Sequence, residues 1–378
     1  MTKKGIPIVF FITGGLFLSA FLLATWREAH NYGGWLLMIF FLCIALGLRY
    51  YSLLKGYSFT VMIFAAVSVS MYYPQLFIRI GDFRLSALIV PLMQIIMFGM
   101  GTGLSVKDFA GVVKMPKGVV VGVLCHYMVM PPVAFTITRI FNFPAEVAAG
   151  IILIGSCPNG LASNVMTYLA RANLALSVTL TAVSTLLAPL MTPLFMQWLA
   201  GAYVSIDFWE MAWDITKIVI IPVFAGLVFN RFLHGKAKWL DDVMPVLSMA
   251  GIALIIIVIT AAGQKDLLIV GPALVLAMLL HNTSGYVLGY WLARLLRMEE
   301  KDCRTIAIEV GLQNAGLGSS LALAMGKLST VGLASAVFSP IMNITGSSLA
   351  LWWRSRPLQN QKLEEIEMIN RKTKSIKV

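Results

Sequence analysis

The stretch Gly155-Ser-Cys-Pro-Asn-Gly-Leu-Ala-Ser-Asn164 interrupts an otherwise apolar run, with Ile151 to Ile154 before it and Leu169 to Leu176 after it. Pro158 lacks a backbone donor, Gly155 and Gly160 are poor helix formers, and Asn159, Ser163 and Asn164 are polar. In hydrocarbon every backbone polar group needs a partner, so a broken helix persists only if it is enclosed by protein or lines a wet cavity. A second stretch has the same character and adds a carboxylate: Glu309-Val-Gly-Leu-Gln-Asn-Ala-Gly-Leu-Gly-Ser-Ser320. Two interrupted segments in corresponding halves of a polytopic chain point to the binding site of a secondary transporter.

Composition places the rest of the chain in a membrane. Of 378 residues, 59% are hydrophobic and 12% charged, with a mean hydropathy of +0.84. A soluble domain is about 45–50% apolar and about 25% charged. The net charge of +12 resides in short loops and the tail, so it speaks about orientation and not about nucleic acid. Cys43, Cys125, Cys157 and Cys303 follow no metal-binding spacing and read as free thiols acting as small apolar residues. The apolar run Ile6 to Leu23 is too long for a signal-peptide core and reads as a retained helix.

Spans of about 20 apolar residues are predicted at Ile6–Thr25, Trp35–Leu48, Phe59–Ile80, Leu85–Leu104, Gly118–Ile140, Ala145–Ala170 (broken) and Leu174–Leu199. After a loop, Gly201–Asp214, which carries Asp207, Glu210 and Asp214, come Ile215–Leu233, Val243–Ala262, Leu267–Leu296, Thr305–Met325 (broken) and Thr330–Trp353. With both termini on one side, that side receives 22 Lys and Arg residues and the other receives 7. The bias puts both termini in the cytoplasm.

Setting aside the first two spans leaves ten, dividing as five plus five at the acidic loop, with the broken span fourth in each half. An odd number per half makes the halves enter from opposite sides, the pattern of an inverted-topology repeat. Three units are expected: an N-terminal extension with two helices, residues 1–56; a transporter unit, 57–354, with repeats 57–200 and 209–354; and a basic cytoplasmic tail, 355–378. In the tail, Leu363, Ile366 and Ile369 suit an amphipathic helix on an anionic leaflet, or else the tail is simply solvated.

Glu309 is the first candidate for chemistry, because a carboxylate inside a membrane implies a partner or a pathway. The competing reading is an interfacial Glu paired with Lys301 or Arg304. Ser163 and Asn164 follow the first break, and Ser177 and Thr181, four apart, share one helix face. Hydroxyl, amide and carboxylate oxygens suit a small hard cation. His126, mid-span and shortly before Pro131-Pro132, reads as a hydrogen-bonded core histidine, a neighbour of the cation site, or a proton-sensitive group. His30, His234 and His281 read as interfacial.

Pro158-Asn-Gly-Leu-Ala-Ser-Asn-Val-Met-Thr-Tyr-Leu-Ala-Arg171, Ala175-Leu-Ser-Val, Thr181-Ala-Val-Ser-Thr and Glu309-Val-Gly-Leu-Gln-Asn-Ala-Gly-Leu closely resemble the bile acid:sodium symporter family. The resemblance covers Phe59 to Trp353 and looks like the bacterial branch, homologues of the apical sodium-dependent bile acid transporter. It implies an all-α polytopic fold of ten helices in two inverted repeats, with two crossing broken helices, a core domain and a panel domain. It further implies two sodium ions coupled to uptake of an organic anion. By that resemblance a first sodium site falls on Ser163, Asn164, Ser177, Thr181 and Glu309. A second falls on Glu309, Gln313, the carbonyls of Val310 and Leu312, and His126, where the family commonly has Gln. Substrate-facing positions fall on Asn314, Asn343 and Leu161, the last where related bacterial members often have Thr. Pro158-Asn159-Gly160 varies the more usual Pro-Gly-Gly, and the two helices before Phe59 are extra to the ten-helix plan.

The expected activity is sodium-coupled symport of an organic anion, a bile acid or related carboxylate, by alternating access in a bacterial inner membrane. The expected partners are that anion, sodium ions and membrane lipids, with no cofactor, no nucleic acid and no obligate protein partner. One alternative is sodium/proton exchange, with His126 and Glu309 proton-linked. Another is transport of a smaller anion such as pantothenate or a keto acid. An enzyme or a sensor is disfavoured: the spans carry no paired aspartates, metal motif or Ser/Lys arrangement, and the tail is short for an output domain.

Overall fold

The computed structural model describes residues 5–27, 32–51, 54–105, 108, 110–233 and 238–356. The chain is helical almost throughout, and each of the twelve predicted segments contains a helix or a broken pair. The first helices are α1 (Gly5–Trp26), α2 (Gly33–Leu48), α3 (Ser58–Tyr72), α4 (Ile89–Gly103) and α5 (Pro116–Phe141). The first broken pair is α6 (Ala145–Ser156) and α7 (Ala162–Leu169), followed by α8 (Leu174–Phe195), α9 (Phe208–Ile215), α10 (Ile221–Leu233), α11 (Lys238–Ala262) and α12 (Gln264–Leu295). The second broken pair is α13 (Glu300–Gly311) and α14 (Ala315–Ala324), and α15 (Gly332–Arg354) closes the fold. Among the described residues, six helical stretches are long and apolar enough to cross a bilayer: Ile6–Trp26, Leu85–Gly103, Pro116–Phe141, Leu174–Ala200, Phe208–Phe232 and Gln264–Leu295. The protein is an all-α membrane protein.

Two boundaries differ from the sequence reading. The span predicted to run to Ile80 ends at Tyr72, and the chain turns at Pro74 into a short helix, Gln75–Ile78. Proline disfavours helix in the residue before it, and a two-strand hairpin, Arg79–Ile80 against Phe83–Arg84, follows with Gly81 at φ 58°. The predicted loop Gly201–Asp214 is helical from Phe208, because the Asp207 carboxylate accepts the Glu210 N–H at 2.8 Å and caps α9. α9 runs on through a π-turn, Thr216–Ile220, into α10.

Helix surroundings explain how broken segments survive in an apolar chain. Val147 through Ser156 of α6 and Cys303 through Gly311 of α13 are all buried. A helix buried on every face meets protein and not lipid, which meets the requirement for irregular backbone at membrane depth. The outer helices carry the exposed apolar surface, including Leu268 and Ile269, with Trp198, Trp209, Trp213, Trp291 and Trp352 among the exposed aromatics. Around the broken pairs stand α5, α8, α12 and α15, each contacting at least one of them. α4 packs on α10 and α11, and α3 on α11. α1 packs on α2 and α2 on α3, where the Ser58 hydroxyl donates to the Ala45 carbonyl at 2.8 Å.

The four cysteines are free, three of them buried. His281 corrects the interfacial reading: it is fully buried in α12, with Nε2 3.1 Å from the Met130 carbonyl oxygen of α5. It is followed on α12 by Asn282, Thr283 and Ser284, and such a polar run in a long helix reads as interfacial until the packing of α5 is known. His30, His234 and the residues 357–378 that would form the tail helix lie outside the described residues.

Candidate functional site

The two breaks meet. Asn159 and Gln313 form an antiparallel bridge, flanked by hydrogen bonds from the Gly160 N–H to the Leu312 carbonyl (3.0 Å) and from the Asn314 N–H to the Pro158 carbonyl (2.8 Å). Each break therefore satisfies the backbone of the other. Gly160 is required here by close approach: a Cβ would stand 2.7 Å from the Gln313 oxygen and 3.2 Å from its carbonyl carbon.

Other helices secure the freed ends. The Thr192 hydroxyl donates to the Ser156 carbonyl at 2.7 Å, and the Asn159 N–H donates to the Ser184 hydroxyl at 3.4 Å. On the second break, the Asn282 amide donates to the Gly311 carbonyl at 2.8 Å and accepts from the Thr345 hydroxyl at 2.5 Å. The Asn314 side chain caps α14 by accepting the Leu317 N–H at 3.0 Å. α7 has no side-chain cap, since Leu161 occupies the capping position.

Glu309 is the hub. Its carboxylate is fully buried and accepts hydrogen bonds from the Ser177 hydroxyl, the Asn159 amide and, at 3.1 Å, the Thr181 hydroxyl. Ser177 is also 2.8 Å and Thr181 3.4 Å from the Asn164 side-chain oxygen. Ser163 lies 3.3 Å from the Thr181 hydroxyl and donates to the Gly160 carbonyl at 2.8 Å. All five residues assigned to the first sodium site thus fall in one connected cluster. The interfacial alternative for Glu309 fails: Arg304 pairs with Glu300 at 2.9 Å and donates to the Trp353 and Arg356 carbonyls, and Lys301 is exposed.

Local sequence explains the register. Ser177, Thr181 and Ser184, spaced by four and three, line one face of α8. One turn before Ser177, Asn173 caps α8 and binds α13 twice, from its N–H to the Thr305 hydroxyl (2.8 Å) and from its amide to Asp302 (2.8 Å). Thr305 lies one turn before Glu309, so this clamp sets the hydroxyl face of α8 against the carboxylate.

The residues of the second set all border the crossing, and the Gln313 side-chain oxygen and the His126 Nδ1 are buried there without a partner. Gln313 donates to the Val310 carbonyl at 2.8 Å, and the Leu312 carbonyl accepts from Gly160. His126 Nε2 lies 2.9 Å from the Cys157 carbonyl oxygen, so the ring is anchored to the first break. Of the substrate positions, Asn314 faces α4 with its amide 4.0 Å from the Met97 sulfur, Asn343 is half-buried and bonds the Ser339 carbonyl of its own helix, and Leu161 is half-buried against the apolar core.

Sequence reasoning missed two residues. Asn159 was read only as a polar group in the break, although it binds Glu309. Asn282 was passed over, and the available signal was an amide next to His281 within an apolar span. Among the described residues no three His, Cys, Asp or Glu side chains cluster. The donor set at Glu309 is therefore hydroxyl and amide oxygen around one carboxylate, which suits a hard monovalent ion better than a transition metal.

Residues 90–269 match the model of the Sodium Bile acid symporter family. The chain is 38% identical over 315 residues to the uncharacterized sodium-dependent transporter YocS of Bacillus subtilis (strain 168), covering 83% of this chain and 96% of that protein. It is 39% identical over 268 residues to the probable chloroplastic sodium/metabolite cotransporter BASS1 of Arabidopsis thaliana, 71% of this chain and 67% of that one. To the ileal sodium/bile acid cotransporter of Homo sapiens it is 32% identical over 244 residues, 63% and 69% of the two chains. A buried carboxylate ringed by hydroxyls at the meeting of two broken helices, together with near full-length similarity to a sodium-dependent transporter, places this chain in the sodium bile acid symporter family.

Proposed function

We propose that the protein is a sodium-coupled symporter of an organic anion working by alternating access. The observation that carries this reading is the convergence of Ser163, Asn164, Ser177 and Thr181 on the buried carboxylate of Glu309. A buried carboxylate without a cationic partner is expensive. Sodium would supply the missing charge, and the surrounding oxygens would replace its water. Such a cation would join α7, α8 and α13, and so favour the assembled crossing.

In this reading α3 to α15 are ten spans in two inverted repeats. The broken pairs with α5, α8, α12 and α15 form the core, and α3, α4, α10 and α11 form the panel. The contacts of α4 with α10 and α11 support that grouping. Asn314, which faces α4, would stand between the two parts and meet the solute with Asn343 and Leu161. The N-termini of α7 and α14 would favour its anionic group. The membrane is a bacterial inner membrane with both termini in the cytoplasm, as the 22 to 7 distribution of basic residues supports.

The solute class is a bile acid or related carboxylate; a smaller anion is the neighbouring reading, supported by relatives named as metabolite cotransporters. Uptake of labelled taurocholate into proteoliposomes, under an inward sodium gradient and with potassium in its place, tests both points. Accumulation in sodium only, lost in Glu309→Ala, is expected. Uptake that survives unchanged in Glu309→Ala refutes the assignment of the carboxylate. No uptake beside a sodium-induced rise in melting temperature keeps sodium and moves the solute to smaller carboxylates.

A further inference from the structure

Two acceptors at the crossing have no donor. The side-chain oxygens of Asn159 and Gln313 are buried and unpartnered, in residues 3% and 0% exposed. A buried polar group without a partner is destabilising, and such groups are rare. Here two occur on residues paired directly across one antiparallel bridge. Side chains of a directly opposed pair project from the same face, with Cβ atoms about 4.5–5.5 Å apart. One N–H of each amide is held: Asn159 donates to Glu309, and Gln313 donates to the Val310 carbonyl at 2.8 Å. With the amides so oriented, both have their oxygens left for something that is not a hydrogen-bond acceptor.

That missing partner must be electropositive and small. Among the described residues no Lys or Arg is ion-paired with the Glu309 carboxylate, so the negative charge that Asn159 holds is uncompensated by a cation of the protein. His126, the nearby ring, donates through Nε2 to the Cys157 carbonyl; its Nδ1 is likewise unpartnered and, in the neutral ring, is a further acceptor that supplies no donor to the amide oxygens. Two amide oxygens on residues paired across one bridge, one of them bonded to a carboxylate, match a hard monovalent cation.

We propose that Asn159 is itself a sodium-binding residue of this chain. Its side-chain oxygen, with that of Gln313, takes a sodium ion beside Glu309, while its N–H fixes the carboxylate. Asn159 then does two jobs with one amide: it orients Glu309 and ligates the ion. The residue sits in the first break and Gln313 in the second, so the ion ties the two broken helices together across their bridge. This proposal rests on the sodium-coupled reading above and adds a ligand to it.

The test is sodium binding to the purified full chain, followed by the rise in melting temperature across a sodium titration in a potassium background. Asn159→Ala and Gln313→Ala are each expected to raise the half-saturating sodium concentration about tenfold. The double variant is expected to raise it little further, because both oxygens serve one ion. Asn159→Asp keeps an oxygen and loses the N–H, so it is expected to bind sodium at least as tightly as Asn159→Ala and to discriminate it better from potassium. Should Asn159→Ala be too unstable to purify, Asn159→Gly, which also lacks the oxygen, against Gln313→Ala gives the same comparison. Wild-type sodium affinity in Asn159→Ala, with binding still abolished in Glu309→Ala, overturns the proposal and leaves sodium coupling standing. Fully multiplicative effects of the two substitutions also overturn it. A wild-type protein with no sodium response overturns the coupled reading and this proposal with it.

Discussion

Gly160→Ala puts one methyl group into the helix crossing. The added Cβ would stand 2.7 Å from the Gln313 carbonyl oxygen and 3.2 Å from its carbon, and both are backbone atoms that no rotamer change can move. Overpacking of this kind costs about 1–3 kcal/mol. If the two extended segments part to admit the methyl, the bonds from Gly160 to Leu312 and from Asn314 to Pro158 lengthen from 3.0 and 2.8 Å. Each contributes about 1 kcal/mol, so the expected loss is about 3–5 kcal/mol. At roughly 2 °C per kcal/mol, the low end for larger chains, melting falls by about 6–10 °C. The control is Gly15→Ala in α1, where a Cβ meets nothing within 4 Å and a helical alanine is favourable. Thermal unfolding of both variants in detergent at one scan rate decides the matter, since unfolding of such proteins is often irreversible. Separation of the segments would also move Asn159 and Ser163 away from Glu309, so the sodium-induced rise in melting should shrink in Gly160→Ala alone. If Gly160→Ala melts with Gly15→Ala and responds equally to sodium, the crossing is loose enough to admit a methyl group and close approach does not require glycine at this position.

Two further substitutions separate binding from packing. Ser177→Ala removes the one hydroxyl that lies within hydrogen-bond reach of both Glu309 and Asn164, so half-saturating sodium in a melting titration should rise about tenfold, in line with about 1.5 kcal/mol for a hydrogen bond to a charged group; an unchanged titration would remove Ser177 from the site. Gly34→Ala would overlap the Tyr72 Cβ at 2.6 Å and a Tyr73 ring carbon at 2.7 Å, so it should cost about 1–3 kcal/mol of stability while leaving sodium affinity alone; a change in sodium affinity would connect the N-terminal hairpin to the site.

The sequence carried the punctuation of this fold more plainly than its contacts. Pro158, Gly160, Gln313 and Asn314 marked both breaks because proline, glycine and amides are conspicuous in apolar runs. Ser177 and Thr181 were legible from their four-residue spacing, and both do reach Glu309. What spacing cannot express is contact across 150 positions, which is why the bond from Asn159 to Glu309 went unread. His281 reads as interfacial for the opposite reason: it opens the polar run His281-Asn-Thr-Ser284 of α12, and only the position of α5 beside it determines that the ring is buried. The start of α9 was available in principle. Asp207 followed by Glu210 is a capping pattern, but three acidic residues in one short segment looked like a loop. The ending of α3 at Tyr72 was likewise written in Pro74, and was hidden because the apolar run continues to Ile80.

The close packing of the N-terminal hairpin gives it a physical role that composition did not. Gly33 and Gly34 lie where any side chain would enter the rings of Tyr72 and Tyr73, and Trp35 stacks on Tyr73 with ring centroids 5.5 Å apart. α1 and α2 are therefore built onto α3 as a third layer beside it. In the proposed arrangement that layer would thicken the panel side, away from Glu309.

Equilibrium binding of radiolabelled sodium to the purified protein, wild type against Glu309→Ala, reads the proposed role of the helix crossing without knowledge of the solute. Saturable binding to the wild type, displaced by unlabelled sodium but not by potassium and absent from a folded Glu309→Ala, is the expected result. Saturable binding that persists in Glu309→Ala, or none in the wild type, would contradict the account.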